Sequence, residues 1–104
     1  MGNKVLVRIF GIPIKGCKPG KSWEDAARIT REILTSKFGE SVDVEYIEFL
    51  PSRWKQFPEV VDLIRAGEAQ IPIVMVNDVM ISSGGKIDVG RIERYLLGMG
   101  LKKL

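Results

Sequence analysis

The chain has 104 residues, which is one domain's worth of polypeptide, and at 45% hydrophobic and 28% charged residues it is not a wholly disordered one. One cysteine and no histidine exclude an intramolecular disulfide, a Cys/His metal cage and a Ser/His/Asp triad. The net charge is +3, and Lys4, Arg8, Lys15, Lys18 and Lys21 all precede the first acidic residue, Glu24. That bias reads either as a solvated loop and strand edge or as a local positive field around Cys17. The cations do not interleave with exposed aromatics, so nucleic acid is not an expected partner. Lys4 and Arg8 interrupt the early apolar run Val5 to Phe10, which is too short for a signal segment or a membrane span. A cytoplasmic protein without membrane contact is the expectation.

Taken in chain order, Lys4 to Phe10 (KVLVRIF) is apolar and β-branched and predicts a buried strand ended by Gly11 and Pro13. A Gly/Pro/Lys-rich loop runs from Gly11 to Lys21. Ser22 then reads as an N-cap with Glu24 and Asp25 in the first turn, where negative charge suits the helix dipole. Ala26, Ala27, Thr30, Ile33, Leu34 and Phe38 recur at helical spacing, and Gly39 is a natural stop. Val42 to Leu50 alternates Val42, Val44 and Tyr46 against Asp43 and Glu45, which predicts a strand with unlike faces closed by Pro51. Pro58 opens a short helix carrying Val60, Val61 and Ile64, with Gly67 beyond its end. Ile73 to Val76 and Val79 to Ile81 flank Asn77-Asp78 as a β-hairpin, and Ser82 to Lys86 reads as a polar turn. Asp88 caps a last helix bearing Val89, Ile92, Tyr95, Leu96 and Met99. The order β-α-β-α-β-β-α predicts one α/β domain over residues 1–104, with a four-stranded mixed sheet flanked by helices.

Two places carry a resemblance over nearly the whole chain. One is Cys17-Lys18-Pro19-Gly20, between the first strand and the first helix; the other is Ile71-Pro72-Ile73, opening the third strand. With this order of elements the chain resembles the thioredoxin superfamily. The resemblance implies that Cys17-Lys18-Pro19-Gly20 stands where that family holds Cys-x-x-Cys, and that Pro72 is a cis-proline facing the reactive cysteine. Pro72-Ile73-Val74-Met75-Val76-Asn77 followed by Gly84-Gly85-Lys86-Ile87-Asp88 is similar to glutaredoxins in particular. In that branch such a Gly-Gly stretch helps hold the glutamyl end of glutathione. Here it lies about two residues further from the strand, so Ser82 and Ser83 read as an insertion. Tyr46-Ile47-Glu48-Phe49 also resembles the second strand of small bacterial proteins of the same fold.

Cys17 is the candidate nucleophile. A thiol attacks a disulfide as thiolate, and Lys15, Lys18 and Lys21 would favour that anion. Gly20 occupies the place of the family's second thiol, so nothing internal resolves a mixed disulfide. Monothiol exchange with an external thiol, a Cys17–Cys17 dimer and an inert buried cysteine therefore all stay open. The resemblance implies Lys18, Pro19, Gly20, Ile71, Pro72, Gly84 and Gly85 as the substrate-binding set. It implies a protein disulfide or glutathione as partner, with no metal and no resident cofactor, in a monomer or homodimer. Gly16 to Ser22 fails as a phosphate loop because three residues, not four, separate Gly16 and Gly20. Trp23 and Trp54 read as core or rim anchors, or as cover for the thiol and a neighbouring docking face. Exposure of Trp54 and Phe57 would suit the alternative function, a redox-inactive interaction module.

Overall fold

The structure, a computed structural model, describes residues 4–12 and 23–104. Its axis is β1 (Val5–Gly11), which lies between β2 (Val42–Glu48), paired parallel, and β3 (Ile73–Val76), paired antiparallel. β4 (Val79–Ser83) closes a four-stranded mixed sheet of order β2-β1-β3-β4. Helices α1 (Trp23–Phe38), α2 (Pro58–Arg65) and α3 (Val89–Gly98) complete the predicted β-α-β-α-β-β-α order.

Alternation along β1 divides the core. Val5, Val7 and Ile9 face one side and pack with Val44, Val74 and Val76 of the sheet and with Leu34, Phe38, Ile92 and Leu96 of α1 and α3. On α1 the buried residues are Ala27, Thr30, Leu34 and Phe38, a single helical stripe. The Thr30 hydroxyl donates to the Ala26 carbonyl at 2.8 Å, which satisfies the one polar side chain in that stripe. Phe10 points to the other side and joins Ile47, Phe49, Val60, Ile73 and Met75 under α2. Fully burying a side chain such as Phe10 contributes about 1.5–3 kcal/mol.

Local signals explain the joints. Gly39, just past α1, has φ +62°, a conformation that glycine adopts without penalty. Asn77 and Asp78 both take positive φ (48° and 71°), as a two-residue hairpin with the right twist requires. Asn77 also reaches across to β1: its side-chain oxygen accepts from Leu6 N–H, and its own N–H donates to the Leu6 carbonyl, both at 3.0 Å. Asp88 Oδ1 accepts from Arg91 N–H at 3.1 Å and so caps α3.

Three readings need correction. Ser82 and Ser83 are not turn residues: they extend β4, Ser82 opposite Val74 and Ser83 opposite Ile73, across a bulge at Val74/Met75. The bulge supplies the extra residue that alternation alone does not reveal. The second strand ends at Glu48, and a 3-10 helix over Pro51–Gln56 follows it, because Pro51 fixes the first turn and removes a ladder donor. Phe57 is half-buried rather than exposed, its ring 5.0 Å edge-on from that of Phe10.

Candidate functional site

β1 and β3 run side by side with Phe10 opposite Ile73, so Gly11 and Pro72 follow on adjacent strands at one end of the sheet. The Ile71–Pro72 bond is cis, and Pro72 is buried. Gly84 lies at the same end: its N–H donates to the Pro72 carbonyl at 2.9 Å and to the Gln70 carbonyl at 2.8 Å. The Gly84 amide is therefore occupied within the protein, and its φ of +74° makes the tight turn that brings it there. Gly85 (φ +69°) is exposed, with open space where a Cβ would stand. Any backbone contact from the Gly-Gly stretch to a ligand thus falls to Gly85 rather than to the Gly84 N–H.

Gly11 is where chain leaves the sheet, and Trp23 is where chain returns as α1. The two are in tight register. A Cβ on Gly11 would stand 2.7 Å from Trp23 Cβ, 2.7 Å from the Tyr46 hydroxyl and 2.9 Å from Tyr46 Cε1. Only glycine allows that approach. The Tyr46 phenol is pushed up to about 12, first by burial and then by the charges of Glu48 and Glu24, so it stays a protonated donor. Cys17, Lys18, Pro19 and Gly20 lie outside the described residues, as do Lys15, Lys21 and the Ser22 cap. Both ends of the segment that carries them, Gly11 and Trp23, belong to the sheet end that holds Ile71, Pro72 and Gly84.

Beside Ile71 opens a small apolar groove of about 190 Å³. Ile12 and Trp54, 42% and 39% exposed, form part of its lining. Trp54 rests at 6.3 Å from the ring of Phe49, which packs edge-on to Phe10 at 5.6 Å. The sequence points to Trp54 and Ile71 as candidates here, whereas Ile12, Val61 and Ile64 carry no functional motif. The only signal for the last two was their helical spacing, which points to a core face and does not reveal that part of it is left uncovered.

Arg8 stands on the same side of β1 as Phe10 and is half-buried. It pairs with Asp78 at 3.3 Å and Glu45 at 3.9 Å and lies 5.7 Å from the Phe57 ring centre. Among the described residues no group of three or more Cys, His, Asp or Glu gathers as a metal site, and no helix is long and apolar enough to cross a membrane.

No protein-family model matches the chain, and no curated protein matches it. Among solved structures it is similar to a protein of unknown function, SA0789, from Staphylococcus aureus. That similarity has a TM-score of 0.71 at 18% identity, over 92% of this chain and 91% of that one. It is also similar to a structure described as that of a malarial protein, with a TM-score of 0.52 at 11% identity, over 92% and 97% of the two chains. At these identities the likeness is one of fold, and the fold does not fix an activity.

Proposed function

We propose that this chain is a small monothiol protein of the thioredoxin and glutaredoxin type, acting by thiol–disulfide exchange through Cys17. One observation carries the reading: both anchors of the Cys17 segment, Gly11 and Trp23, converge on the sheet end formed by Ile71–Pro72 and Gly84. An extended disulfide partner would lie across that sheet end, and Lys15, Lys18 and Lys21 would hold the thiol toward its anion.

In this reaction the Cys17 thiolate attacks one sulfur of a disulfide. The S–S bond breaks, the departing sulfur keeps the electron pair and takes a proton from solvent, and a mixed disulfide remains on Cys17. The chain has one cysteine, so release needs an external thiol of the glutathione class. That thiolate attacks the partner's sulfur, frees Cys17 as thiolate and leaves with the partner as a new disulfide.

Alkylation of Cys17 followed against pH, and mass analysis after exposure to oxidised glutathione, test the proposal. The expected midpoint lies below the free-thiol value of about 8.5, with one glutathionyl group per chain and none on Cys17→Ser. A midpoint at or above that value with no adduct would refute it.

A further inference from the structure

We propose that the outer edge of β4, together with α3, binds an extended segment of a partner protein that carries Asp or Glu at every second position. The proposal goes beyond thiol exchange and does not rest on it.

β4 is an end strand: β3 pairs with one side of it, and among the described residues no strand pairs with the other. The two-residue turn at Asn77-Asp78 makes Val76 and Val79 a hydrogen-bonded pair, so Met80, the next residue, turns its N–H and C=O outward. Edge strands are usually blunted by charged residues or proline, and Val79–Ser83 contains neither. Its bulge breaks the regular ladder beyond Met80, which confines an added strand to the hairpin end.

A groove of about 570 Å³ runs along that same stretch, lined by Val79, Met80 and Ile81 of β4 and by Arg91, Arg94 and Tyr95 of α3. Val79 is 50% exposed, so the apolar floor is open to an incoming chain. Arg91, Arg94 and Tyr95 follow i, i+3, i+4 spacing and share one helical stripe. Two cations and no carboxylate line the groove, and the acids on the flanking elements are committed elsewhere. Asp88 caps the Arg91 N–H, Glu93 holds Lys37 and Lys103, and Asp78 holds Arg8. The groove between α1 and β2 differs: there Arg28 and Arg31 stand among Glu24, Asp25, Asp43 and Glu45. Like charges one helical turn apart repel, and an anion placed between them removes that penalty. Side chains of an added strand alternate between faces, so acids at every second position all fall on the α3 face. Antiparallel pairing with a second β4 would instead bring two more arginines to that face, so charge disfavours another copy as the occupant.

The probes are short cysteine-free synthetic peptides in which Val or Thr alternates with Asp, Gln or Lys, together with a peptide of the same composition whose Asp residues are gathered in one block. Binding is measured in solution to the full chain carrying Cys17→Ser, so the result is independent of the exchange reaction. The alternating Asp peptide should bind about tenfold more tightly than its Gln, Lys and blocked counterparts at low salt, with the gap closing as salt screens the charges. Only every second residue of an added strand turns its N–H to β4, so N-methylation of one alternate set of amides should abolish binding while the other set is tolerated. Arg94→Glu, at an exposed position, should lower affinity about tenfold, whereas Arg31→Glu on α1, an equal change in net charge, should leave it unchanged. Circular dichroism establishes that each variant is folded. The proposal is overturned if no peptide of the set binds, if the pattern of acids or the methylated set has no effect, or if Arg31→Glu weakens binding as much as Arg94→Glu. It is also overturned if the chain sediments as a dimer that Arg94→Glu dissolves, because the occupant is then a second copy.

Discussion

Replacing Gly11 with Ala tests the joint on which the candidate site is built. The added methyl would meet Trp23 Cβ and the Tyr46 hydroxyl, each at 2.7 Å, well inside van der Waals contact. Tyr46 can swing its hydroxyl end aside, but Trp23 Cβ is fixed to the first residue of α1, so the helix start itself must move. Forced methylenes in packed sites cost about 1–3 kcal/mol. Gly11 is not among the glycines with positive φ, so Ala also gains about 0.4–1 kcal/mol by restricting the unfolded chain. The balance is a loss of about 1–2 kcal/mol. Urea unfolding should show it as a lower midpoint at unchanged slope, and heating as a fall of about 4–8 °C for each kcal/mol. Combining it with Tyr46→Phe, which removes the hydroxyl, should cost less than the two single changes together by about 0.5 kcal/mol. A Gly11→Ala protein as stable as the parent would refute the argument that the two ends of the Cys17 segment are held in close register.

Two further outcomes follow from the α1–α3 side. Asp88→Ala removes the acceptor that caps Arg91 N–H and should destabilise the protein by about 0.5–2 kcal/mol in urea unfolding. Glu93 is held by Lys103 and, at 2.8 Å, by Lys37, and those hydrogen bonds lower its carboxyl from 4.5 to about 2. A depressed carboxyl favours the folded state once it is ionised, so its contribution is complete above pH 4.5 and fades as the pH falls toward 2. Unfolding free energies measured across that interval should fall more steeply for the parent than for Glu93→Gln. Identical slopes would remove Glu93 from the account.

Features legible in the sequence were those governed by neighbours along the chain. Asn77-Asp78 announces its hairpin because few residues tolerate positive φ, Asp88 announces a cap, and Ile73 to Val76 announces burial by having no polar face. Features that were not legible depend on distant partners. Nothing near Ser82 signals that a bulge opposite Val74 and Met75 keeps it in the ladder. Nothing near Phe57 says that Phe10, forty-seven positions earlier, will cover it. Arg8 looks like an interruption of a buried strand, and only partners far along the chain, Asp78, Glu45 and the Phe57 ring, account for its place there. The candidate site divides the same way. Ile71-Pro72 is recognisable as a motif, whereas Gly11, Tyr46 and Trp23 meet only through the parallel pairing of β1 with β2 and the return of α1 across it.

That pairing leaves β2 as an outer strand, and its composition bears on how the molecule behaves in a crowd. An unpaired strand edge is a template for adding another copy. Asp43, Glu45 and Glu48 recur along this one, the first two exposed. Two molecules approaching through their β2 edges would bring rows of carboxylates together, and like charges across a strand pair are destabilising. The acidic alternation that marks the strand in the sequence thus also discourages runaway sheet growth from this side, even though the chain as a whole is basic.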